Sequence, residues 1–229
     1  MSRSIEEQRP DSVATQVPGP RPSAEMLAAT SAAPAAEPAA AGDPGMIGLP
    51  VFLVGSVALG LVLVGFVPAA AAGASIPIIM TATGVGLMVA ATWAARLAQS
   101  AVAGVFAIFA GFWLSYAALV LGLTHGWFGI VAADVVRAEE LFLIAWLVVI
   151  GLLTVGSLRL PMAFTVLFAL VEVALLLDLL GTINASTGLL KTAGWVVFAF
   201  VAVGAYLFLS GLSAATGGRP YPLGRPALH

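Results

Sequence analysis

Glu172 and Asp178 are the residues of this chain best placed to do chemistry, because both carboxyls lie in a stretch that is otherwise Val, Ala and Leu. An ionised side chain in the centre of a bilayer costs roughly 2.5–3.5 kcal/mol or more, so such groups are neutralised, paired or open to water. For Glu172 the choices are a proton or ion relay, or a protonated carboxyl hydrogen-bonded to a neighbouring helix. For Asp178, nearer the end of its stretch, a solvated vestibule is a further choice. The two are six residues apart, which on an ideal helix turns them about 120° from each other and argues against one tight dyad. No Lys or Arg falls in the core of an apolar stretch to pair with either.

Other chemistry is sparse. There is no cysteine, and the only histidines are His125 and His229, so a His/Cys metal cluster cannot be built. No phosphate-binding glycine loop follows a strand pattern. The residue types point away from an enzyme, and no cofactor, metal or nucleic-acid partner is expected. Phe52, Phe109, Phe112 and Trp113 can be read as pore-lining aromatics, or as ordinary packing and lipid contact.

The elements that must carry these residues are membrane helices. The chain is 61% hydrophobic and 9% charged, with mean hydropathy +1.07. Soluble domains carry about 25% charged residues, so the soluble class is excluded. From Pro44 to Ala95 there is no Asp, Glu, Lys or Arg. About 20 apolar residues in a helix cross the hydrocarbon. The pattern predicts an all-α membrane protein with six spans, near 46–67, 76–95, 100–123, 139–157, 161–181 and 192–213. Loops are expected at 69–75, around Asp134 and Arg137, and over Asn184–Lys191. Spans four and five, joined by very few residues, must be antiparallel neighbours. Residues 1–42, rich in Ala, Pro, Ser and Glu, read as a disordered tail rather than a secretory signal. The six-helix domain is set at 43–217 and a C-terminal tail at 218–229.

Arg3, Arg9, Arg21, Arg96, Arg159, Arg219 and Arg225 fall on one side of this topology, and Arg137 and Lys191 on the other. The Lys/Arg bias therefore predicts both termini in the cytoplasm of a multi-pass protein of the cell membrane. Gly86, Ala90 and Ala94 form a small-residue ridge in span two. Ala103, Ala107, Gly111 and Ser115 form another in span three. Such ridges allow close helix approach within or between subunits.

Four segments, in order, carry a family resemblance. Asp43-Pro44-Gly45-Met46-Ile47-Gly48-Leu49 opens span one, and Gly111-Phe112-Trp113-Leu114 lies in span three. Ala193-Gly194-Trp195 opens span six, and Gly218-Arg219-Pro220-Tyr221-Pro222-Leu223-Gly224 follows it. Over roughly 43–225 the chain resembles the acetate uptake transporter family, the YaaH-type succinate–acetate permeases. The family signature is an Asn-Pro-Ala-Pro-Leu-Gly-Leu segment at the first of these places.

The resemblance implies a homo-hexamer of six-helix subunits, each with a pore for acetate and related short carboxylates, with proton symport and channel passage both proposed. It also implies an apolar constriction of a Phe, a Tyr and a Leu, which the matched motifs place at Phe52, Phe109 and Val171. The Tyr has become Phe and the Leu has become Val. Asp43 replaces the signature Asn, and Leu87 and Ala94 stand where the family has Gln and Glu in span two. Glu172 follows the constriction position Val171, so a proton taken up there is expected to couple to carboxylate passage. Ionised, it would instead favour a neutral or cationic solute. A scaffold that transports nothing is the remaining alternative, and would pack the path past Phe52, Phe109 and Val171 shut.

Overall fold

The computed structural model describes residues 42–228, and the tail expected over 1–42 lies outside them except for Gly42. Among the described residues every regular element is helical. Six helices are long and apolar enough to cross a membrane. These spans, counted among the described residues, contain α1 (Gly45–Leu63), α2 (Gly86–Arg96), α3 (Ser100–His125), α4 (Val135–Gly156), α5 (Met162–Ile183) and α6 (Thr187–Ala215). The span containing α2 is continuous over Ala70–Arg96. It begins as a 3₁₀ turn (Ala69–Ser75) and a π-helical stretch (Ile78–Val85).

Several boundaries differ from the sequence reading. The first span stops at Leu63, short of Pro68, because Gly65 takes a left-handed φ of +84°. There Phe66 N–H donates to the Leu61 carbonyl at 2.9 Å and Gly65 N–H to that of Val62 at 3.0 Å, the double bond of a glycine stop. The loop expected over Asn184–Lys191 is largely helix. Ser186 caps α6, its Oγ accepting from Leu189 N–H at 3.3 Å, so Lys191 rides in the first turns. Likewise Arg137 belongs to α4, where its guanidinium donates to Glu140 at 2.6 Å.

Packing in lipid depends on how closely backbones approach. The small-residue ridge of span two is an internal seam, with Ala90 and Ala94 fully buried and Gly86 facing Val51 of α1. On α3, Ala107 is exposed, whereas Gly111 receives the Trp146 ring of α4. The Ala-Gly-Trp motif gains a physical reason at Gly194. A Cβ there would stand 2.9 Å from Leu63 Cβ and 3.0 Å from the Val64 backbone nitrogen. Only glycine lets α6 cross the end of α1 this closely.

Spans four and five are joined by a single 3₁₀ turn, Ser157–Arg159, and pack on each other. Thr165 Oγ1 donates back to the Ser157 carbonyl at 2.8 Å across that turn. After α6 the chain folds back over the same end of the bundle. Ala163 N–H, free at the start of α5, donates to the Leu223 carbonyl at 3.0 Å. Tyr206 Oη donates to the Pro222 carbonyl at 2.9 Å, and Tyr221 N–H donates to Ser210 Oγ at 2.9 Å.

Because the obstacle at Gly194 is backbone and a Cβ, neither can swing aside. Gly194→Ala is expected to cost roughly 1–3 kcal/mol. A thermal unfolding midpoint in detergent several degrees below that of the unaltered protein is the outcome to look for.

Candidate functional site: two cavities about an aromatic pair

A cavity of about 430 Å³ opens at the end of the bundle where α1, α3 and α5 begin and α6 ends. That is within the range of small-molecule sites, about 300–1,000 Å³. Its wall is apolar apart from Asp43 and Ser210, and Ser210 Oγ already accepts from Tyr221. Pro220 and Leu223 of the folded-back segment complete the rim. The exposed Arg96, Arg159, Arg219 and Arg225 belong to this end of the bundle, so an anion approaching it meets a positive field.

The segment that opens α1 is split between roles. Gly45 and Leu49 line the vestibule, while Pro44 and Gly48 are buried. A Cβ on Gly48 would overlap the Phe106 ring, so this glycine serves the packing of α3 on α1. A helix start suits an anion when its first N–H groups are free. Here Gly45 N–H donates to Asp43 Oδ1 at 2.8 Å and Met46 N–H to the Asp43 carbonyl at 3.0 Å. A carboxylate of the chain itself already holds the position that suits a negative charge.

Phe52 of α1 and Phe109 of α3 line the floor of this vestibule and also line a second, smaller cavity of about 30 Å³. Their rings meet edge-to-face, with centroids 5.0 Å apart, a favoured aromatic geometry. Phe200 of α6 backs Phe52 at 5.8 Å, and Phe168 of α5 stacks on Phe109 at 6.0 Å. Val171 is buried and lines the smaller cavity alone. Thus Phe52, Phe109 and Val171 come together. Phe168 and Phe200, which sequence reasoning passed over, join them from helices whose rotation a linear pattern does not give.

The two intramembrane carboxyls part company. Asp178 lines the smaller cavity, together with Val171 and Phe109. Glu172 lines neither cavity. Its Oε1 lies against Gly151 of α4, 3.5 Å from where a Cβ would stand. Adjacency in sequence misleads here, because neighbours on a helix are turned about 100° apart. With Val171 facing the cavity, Glu172 faces α4. A third carboxyl escaped the sequence reading. Glu139 of α4 is half-buried beside the buried Glu140. Two adjacent acids, Glu139 and Glu140, at the start of an apolar run were the available signal. The Arg137–Glu140 pair explains one of them and leaves the other.

The aromatic pair is therefore expected to separate the two spaces. The chain lacks cysteine, so one placed at Ala174, on the smaller cavity, reports access. Labelling by a charged thiol reagent from the vestibule side should be slow with Phe52 intact and fast when Phe52→Ala is added.

Among curated proteins none matches this chain. A solved structure described as that of the bacterial acetate channel SatP does match in fold. Its TM-score is 0.71 at 21% identity, over 80% of this chain and 99% of that one. The six-helix arrangement is thus shared with a known membrane protein. Residues 27–218 match the GPR1/FUN34/yaaH family, so this multi-pass membrane protein belongs to the acetate uptake transporter family and not among enzymes.

Proposed function

We propose that the protein is a pore for acetate and related short monocarboxylates, linked to protons, with Phe52, Phe109 and Val171 as its constriction. The observation that carries this reading is the pair of cavities sharing Phe52 and Phe109, one apolar and open, the other holding Asp178. The SatP description as an acetate channel and the family membership support the substrate.

The physical chemistry favours passage of the neutral acid. Stripping water from an isolated carboxylate in an apolar gap is prohibitive, whereas a neutral carboxyl costs a few kcal/mol. The exposed arginines raise the local concentration of the anion at the mouth. The acid crosses the aromatic pair with its methyl group in apolar surroundings, and Asp178 lies on the side of the pair away from the vestibule. There its carboxyl can accept or return the proton. In this scheme Asp178 is the proton site. Glu172, on the α4 side, serves the contact between α4 and α5.

Seven basic residues against two favour a cell-membrane protein with the vestibule and both termini in the cytoplasm. The apolar outer faces of α3 and α4, including Ala107, Leu141, Val148 and Leu152, suit neighbouring subunits of a homo-hexamer and the surrounding lipid.

Uptake of labelled acetate into proteoliposomes, with and without an inward proton gradient and against protein-free vesicles, tests the reading. Protein-dependent uptake that rises with the gradient is expected. Its absence in folded protein would overturn the assignment. Asp178→Asn should reduce the gradient's effect by about tenfold or more, the scale of a lost positioned proton carrier, while Asp178→Glu should restore much of it.

A further inference from the structure

Three buried side-chain atoms among the described residues have no hydrogen-bond partner: Thr83 Oγ1, Trp113 Nε1 and Glu172 Oε2. A polar group left alone in an apolar interior costs free energy, and lipid offers it nothing. Thr83 is wedged against α1 at Gly55, and Glu172 against α4 at Gly151. Neither lines either cavity.

Trp113 differs from both. It is 2% exposed, yet it lines the smaller cavity beside Phe109, Val171 and Asp178. It stands four residues after Phe109 on α3, one turn along the same face. Phe112 packs edge-to-face on its ring at 5.2 Å and fixes the indole. An indole nitrogen only donates, so the missing partner must be an acceptor. Phe52 and Phe109 have no polar atom, whereas Trp113, which lines the smaller cavity with them, carries an unpartnered donor.

We infer that the Trp113 Nε1–H receives the carboxyl group of the solute as it leaves the Phe52–Phe109 pair, making Trp113 a specificity-determining residue of the pore. The inference rests on the carboxylate reading given above. Trp113 and Asp178 both line this one small space. The carbonyl oxygen of an entering carboxylic acid accepts from Trp113 while its hydroxyl is offered to Asp178. A ketone of similar size accepts but has no O–H to offer, and cannot do both. At about 30 Å³ the cavity must widen for acetate.

The direct experiment replaces Trp113 with β-(3-benzothienyl)alanine, which keeps the ring shape and puts sulfur in place of the N–H. Half-saturation for acetate uptake is expected to rise about tenfold or more, the scale of a hydrogen bond lost to a polar or charged partner. Unaltered protein that transports acetate, with an unchanged half-saturation in the substituted one, overturns the inference and spares the pore assignment. Unaltered protein that moves no acetate overturns the assignment itself. Should the substituted chain not fold, indole ¹⁵N–H resonances of the unaltered protein are followed on adding acetate. The Trp113 signal is assigned by replacing the other four tryptophans singly. A saturable shift of that signal supports the inference, and its absence defeats it.

Discussion

In a bilayer the lipid tails are as apolar as the side chains, so helices gain little from hiding from water and hold together by contact. The approach of α1 to its neighbours is where this constraint shows most. Gly55 lets the segment leading into α2 close on it, and Gly194 lets α6 cross its end. A Cβ at either place would collide with a neighbour that is itself packed. The place of the aromatic pair follows from those approaches, because Phe52 lies one turn from Gly55 and is buried in the bundle.

The second consequence of the solvent is electrostatic. The described helices keep their few charges at the ends, in contact with headgroups or water, and the exceptions can be sorted by what they face. Asp178 faces a cavity, Glu140 faces Arg137, and Glu172 faces a glycine on the adjoining helix. A carboxyl against Gly151 also lies where no Cβ keeps the helices apart, so α4 and α5 pack around a polar group within a contact that is otherwise apolar.

Much of this was legible in the residues. Charge-free runs identify the spans, since length and polarity are one-dimensional properties that a helix inherits directly. The four ordered motifs pointed to the family, and counting from them brought Phe52, Phe109 and Val171 together. What stayed hidden depends on rotation about helix axes and on local stops. Gly65 ends α1 early through its backbone conformation, and Ser186 starts α6 early through a capping bond. Phe168 and Phe200 converge on the aromatic pair from two different helices. Glu172 looked central only because it is written next to Val171.

Asp43 folds its own carboxylate onto the first N–H of α1. That makes the chain a tethered competitor for the place a free anion would take. A group on so short a tether acts at an effective concentration on the order of mM. In the pore proposed above, a carboxylate reaching this helix start has to displace the Asp43 side chain, which would keep its hold there loose and defer saturation to high solute levels.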